Sequence, residues 1–88
     1  MIDFASMVRC ELDRARRKHA SAIHSAAEGY AVILEEVDEF WDEVRKQSGA
    51  RSLRDMLTEL VQIGAMAQRC AEDLHLVDAE SRGNGGAS

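Results

Sequence analysis

Residues 30–44 read YAVILEEVDEFWDEV. At about 100° per residue, Tyr30, Ile33, Leu34, Val37, Phe40, Trp41 and Val44 fall within about 60° of one direction, the wide apolar stripe of an amphipathic helix. Glu36, Glu39 and Glu43 share one flank of that helix, with Val32 among them, and Glu28 and Glu35 lie on its back.

Outward from this stretch, the sequence contains no proline, and glycine is sparse before the cluster Gly83, Gly85 and Gly86, so long helices are permitted almost everywhere. The one clear break is Ser48-Gly49-Ala50-Arg51. The pattern predicts a first helix over roughly residues 2–19, a second from Ser21 or Ala26 to Gln47, and a third over residues 52–76. Gly29 either kinks the second helix or marks a boundary there, because helix glycine costs about 1 kcal/mol relative to alanine.

In the third helix Leu53, Met56, Leu57, Leu60, Ile63, Gly64, Ala67, Cys70, Ala71 and Leu74 recur on one face, with Ser52 placed as N-cap and Asp55 completing a capping-box-like arrangement. No segment alternates with period two, so a sheet is not expected. The expected fold is all-α: a helical hairpin plus an N-terminal helix in a single domain over residues 1–80, with residues 81–88 a disordered tail. A chain of 88 residues is near the lower limit for a self-sufficient core, which points to assembly into a four-helix-bundle-type homodimer or homotetramer.

The net charge of −5 argues against a nucleic-acid polymer as partner, since phosphate contacts need a dominant positive field. No apolar run of membrane-spanning length and no export signal occur, so a soluble, cytoplasmic protein is expected. Cys10 and Cys70 lack metal-ligand spacing and read as reduced core thiols.

The carboxylates carry the chemistry. Glu35, Glu36 and Glu39 put several oxygen donors on one helix, and Asp55, Glu59, Gln62 and Met66 form a stripe flanking the apolar face of the next. Packed together, such flanks offer the oxygen-rich coordination that Mg²⁺ requires. Crowded carboxylates repel one another, so a cation also relieves strain. The plainer reading, a solvated acidic helix face, has the same spacing.

Glu35-Glu36-Val37-Asp38-Glu39, followed across a short loop by Glu59-Leu60-Val61-Gln62, resembles the all-helical nucleoside triphosphate pyrophosphohydrolases of the MazG-like group, relatives of the dimeric dUTPases. Their pattern is Glu-Glu-x-x-Glu on one helix and Glu-x-x-Asp on the next, and the likeness covers about residues 21–74. The resemblance implies cleavage of a nucleoside triphosphate to the monophosphate and pyrophosphate, dependent on Mg²⁺ or Mn²⁺. It implies Glu36, Glu39 and Glu59 as metal ligands and Glu35 as ligand or water-activating base, with Glu35 and Glu36 the catalytic pair.

Gln62 stands where that family has Asp. An amide oxygen can ligate Mg²⁺ but carries no charge. Asp55 is placed one turn before Glu59 to supply the missing charge; a site with fewer ions and a catalytically degenerate helical module are the other readings.

Arg14, Arg16, Arg17 and Lys18 form the one dense basic run, either a phosphate clamp or a solvated helix end favourably paired with its dipole. Arg17, Lys18 and, near the loop, Arg54 are the candidate substrate contacts. His19, His24 and His75 offer no metal pair, and Trp41, Phe40 and Tyr30 read as core or subunit interface before base-stacking groups.

Overall fold

Asp3 accepts a hydrogen bond from the Ser6 N–H at 2.8 Å and opens the first helix, α1 (Phe4–Lys18). Ser25 does the same for Glu28 N at the start of α2 (Ala26–Val44), and Ser52 for Asp55 N at the start of α3 (Leu53–Asp73). Each side-chain oxygen satisfies an N–H that the helix leaves without a partner. Between α2 and α3, Ser48–Ala50 forms a short 3-10 turn where the break was expected. The computed structural model describes residues 2–78, and the tail expected over 81–88 lies outside them.

The described residues are all-helical, with no strand among them. None of their helices is long and apolar enough to cross a membrane. The second helix begins at Ala26, and the segment from His19 to Ser25 is not helical. Gly29 lies one turn inside α2 and is buried there, where a Cβ would collide with Cys70 Sγ, so glycine permits α2 and α3 to approach. The third helix stops at Asp73, short of Leu76, because Leu74 caps it and His75 turns into the left-handed region at φ 59°.

α3 is the central element, with α1 and α2 packed on it. Val8, Leu12 and Ala15 of α1 meet Val61, Ala65 and Met66 of α3 in the main core, supported by Met7, Val32 and Ile33. This rotates α3 relative to the sequence expectation. The face carrying Leu53, Leu57 and Leu60 points outward, and the stripe of α2 carrying Tyr30, Leu34, Val37 and Trp41 is also exposed. The reason is geometric: α1 and α2 cover two sides of α3, and among the described residues no third element reaches the remaining side. Cys10 is exposed rather than in the core, Cys70 is half-buried, and both thiols are free.

The α1–α2 connection is held by charge. Asp73, whose side chain is 8% exposed, accepts from Arg16 Nη1 at 3.0 Å and from the Ile23 N–H at 2.9 Å. Arg69 donates to the Ser21 carbonyl at 3.0 Å, and Arg16 also reaches Glu72 at 2.8 Å. Burial pushes the Asp73 carboxyl up, but the Ile23 N–H and the Arg16 and Arg69 guanidiniums outweigh it and hold the group below the usual carboxylate value.

Candidate metal centre

Where α1, α2 and α3 diverge, they enclose an open cavity of about 610 Å³. Its acidic side carries Glu35, Glu36 and Glu39 from α2, Glu59 from α3 and Glu11 from α1. One carboxylate oxygen from each of Glu35, Glu36 and Glu39 lies within 4.8 Å of the others, a spacing that a single cation can bridge. The i, i+1, i+4 register of one helix accounts for it: successive side chains diverge by about 100°, and the turn brings the third back beside the first two.

Glu36 is the centre of the cluster. Burial, followed by the charges of Glu39, Glu59, Glu35 and Glu11, pushes its carboxyl from 4.5 up to about 7. Glu59 is raised as well, first by burial and then by Glu39, Asp55 and Glu43. Burial comes first in both shifts and the neighbouring carboxylates second, and that second cause is one a hard divalent cation would relieve.

Gln62 sits between the two helices. With its amide nitrogen turned toward the carboxylates, as their acceptor character requires, it donates to Glu36 Oε2 at 2.8 Å and to Glu59 Oε2 at 3.1 Å. An aspartate here would add repulsion; the amide instead ties α2 to α3 across the cluster. The group that could hold a metal ion is the carboxylate cluster of Glu35, Glu36 and Glu39, with the Gln62 amide bridging Glu36 and Glu59 beside it.

The cavity also carries basic groups. Arg14 and Lys18 of α1 and Arg69 of α3 line the same cavity, together with His19. Arg14 is oriented by Glu11, with contacts of 2.6 and 3.0 Å. The Arg69 side chain is 9% exposed, and its Nε has no hydrogen-bond partner among the described residues; Asp73 Oδ2 at 3.7 Å is close enough for ion pairing only.

The expected site residues separate into two groups. Glu35, Glu36, Glu39, Glu59, Gln62 and Lys18 meet in the cavity. Asp55, Arg17 and Arg54 are exposed and do not line it. Asp55 acts on Glu59 through its charge. Glu43, on the same flank of α2 as Glu36 and Glu39, is engaged elsewhere: it accepts from Lys46 Nζ at 2.8 Å and from the Ser52 N–H at 2.7 Å.

Glu11 and Arg69 did not stand out in the sequence. The spacing of Glu11, Arg14 and Lys18 at i, i+3 and i+7 was the available signal for α1, since those positions share a helix face. Arg69 had none, because it sits inside an apolar pattern. No protein-family profile matches the chain, and no curated protein or solved structure matches it either.

Proposed function

We propose that the chain is a divalent-metal-dependent nucleoside triphosphate pyrophosphohydrolase, converting a (d)NTP to the (d)NMP and pyrophosphate. The observation that carries this reading is that one cavity is lined both by carboxylates, with Glu36 among them, and by the cationic side chains of Arg14, Lys18 and Arg69. A cation alone needs only the carboxylates, and an anion alone only the cationic groups. A phosphate chain chelated to a cation uses both.

Glu36, Glu39 and Glu59 would hold Mg²⁺ or Mn²⁺, with the Gln62 amide oxygen as a neutral fourth donor. A bound cation supplies charge neutralisation at the phosphoryl oxygens and lowers the pKa of a coordinated water. Glu35, exposed at the edge of the cluster, orients and deprotonates the attacking water. Water attacks the α-phosphorus, the bond to the oxygen bridging the α and β phosphates breaks, and pyrophosphate leaves. Arg14, Lys18 and Arg69 hold the departing phosphates. The working unit of this reading is a homodimer or homotetramer.

The test is a screen of the purified protein over the common NTPs and dNTPs with Mg²⁺ or Mn²⁺, following pyrophosphate. Turnover lost in Glu36→Gln and Glu39→Gln supports the reading. Absence of turnover with every nucleotide, together with metal-induced stabilisation unchanged in both variants, disposes of it. The Gln62 bridge favours one second reading, a catalytically degenerate regulatory module of the same fold, in which the amide permanently takes the cation's place between Glu36 and Glu59. That module binds no metal and ignores nucleotide.

A further inference from the structure

Val8, Leu12 and Ala15 pack α1 on α3, and this fixes the rotation of α1 so that Glu11, Arg14 and Lys18 line the cavity. Arg14 Nε donates to Glu11 Oε1 at 3.0 Å and Arg14 Nη2 to Glu11 Oε2 at 2.6 Å. The fork closes on a guanidinium whose side chain is 51% exposed, while that of Glu11 is 16% exposed. Among the described residues, Glu35, Glu36, Glu39 and Glu59 line the same cavity without any ion pair.

Arg14 lies within the field of those four acids. The hydrogen bonds from Arg14 to Glu11 come first in holding the guanidinium above its usual value, and the Glu36 charge adds to them. A guanidinium free to move there would become the counter-ion of Glu36, and would occupy the oxygens that a divalent ion needs.

We propose that Glu11 is a positioning residue: by holding Arg14 on α1 it keeps the guanidinium off Glu36 and Glu39, so that the cavity offers free carboxylates to a divalent cation and a free cationic group to the phosphates. The fork engages two of the five N–H groups of Arg14 and leaves three for phosphate oxygens. The partners are three residues apart on one helix, so the pair is in place before any ligand arrives. Glu11 therefore acts through Arg14, not on the cation or the nucleotide. The inference rests on the metal reading given under the proposed function and adds the residue that stops its two kinds of charge from cancelling one another.

The probe is Mn²⁺ alone, without nucleotide, with the free ion followed by electron paramagnetic resonance. Glu11→Gln should weaken Mn²⁺ binding at least about 10-fold, because it removes one charge and releases Arg14 onto Glu36. In an Arg14→Ala background the same substitution should cost less than about 3-fold, since only a charge in a solvated cavity is lost. Glu11→Asp can still pair with a residue three positions on and should stay within about 3-fold of wild type. Equal losses from Glu11→Gln in both backgrounds are what a general charge or structural role would give, and they would overturn the proposal. So would a Glu11→Gln variant that binds Mn²⁺ like wild type, or one that loses its helical dichroism. A wild-type chain that binds no Mn²⁺ removes the metal reading and this inference with it, whereas binding by wild type with equal losses leaves the metal reading standing alone.

Discussion

Replacing Glu36 by glutamine removes the charge most opposed by its surroundings while keeping the side chain's size and its capacity to accept from Gln62. In the folded protein the Glu36 carboxyl titrates near 7, against 4.5 without the fold. The folded state therefore binds more protons than the unfolded chain across that interval, and stability falls as pH rises from about 4.5 to about 7. The penalty is fully present above the upper value and absent below the lower one. At ~1.4 kcal/mol per unit the shift corresponds to at most about 3.5 kcal/mol, and screening by the solvent that reaches this open cavity, together with the Gln62 amide that donates to the carboxylate, reduces the expectation to about 1–2 kcal/mol. Urea unfolding in chelator at about pH 5 and about pH 8 reads it directly. Wild type should lose about 1–2 kcal/mol more than Glu36→Gln between those two pH values, leaving the variant the more stable at the higher pH. Every other group is common to both proteins, so the difference between the two curves isolates Glu36. Parallel curves, or a variant less stable than wild type at about pH 8, would refute the charge-excess account of the cavity. Adding Mg²⁺ should remove the deficit of wild type at high pH and leave the variant largely unmoved, as preferential binding to the folded state requires.

Gln62→Asp should cost about 1–3 kcal/mol in chelator, because two hydrogen bonds are replaced by repulsion from Glu36 and Glu59. The same variant should bind Mg²⁺ more tightly than wild type, and thermal melts with and without the ion measure both effects. Gly29→Ala should destabilise by about 1–3 kcal/mol through its collision with Cys70 Sγ, outweighing up to ~1 kcal/mol gained in helix propensity. In a Cys70→Ala background the same change should be neutral or stabilising, so a double-mutant cycle by urea unfolding checks the contact. Asp73→Ala should cost about 3–5 kcal/mol, since it strips the counter-charge from buried Arg69 and releases Arg16 and the Ile23 N–H. A loss under about 1 kcal/mol in the same measurement would mean that this network does not hold the α1–α2 connection.

The three α-helices, the break near Gly49 and the capping role of Ser52 were legible along the chain because each depends on residues within about four positions of one another. The start of α2 was not settled that way: Ser25 lies in a stretch whose helix-forming residues give no boundary, and the backbone leaves the helix there because Asp73 and Arg69 hold Ile23 and Ser21 from across the fold. The first acidic motif was also legible, since Glu35, Glu36 and Glu39 converge by helical register alone.

What the sequence by itself determined is therefore local: helix spans, caps, and the clustering of acids one turn apart. Only the tertiary structure decided which faces are covered and which charges meet. The basic run shows the reason. Its members are adjacent in sequence but fan out by about 100° each, so Lys18 and Arg14 enter the cavity, Arg16 turns to Asp73 and Glu72, and Arg17 faces solvent. Likewise Asp55 and Glu43 belong to the acidic pattern but stay outside the cluster at the start of α3, where the Asp55 N–H donates to the capping Ser52 Oγ and Glu43 accepts from the Ser52 N–H. Helix rotation is set by the helices that dock, a contact between distant residues that no local spacing encodes. That rotation is what carried Arg69 into the cavity beside Glu36 and left Tyr30 and Trp41 outside.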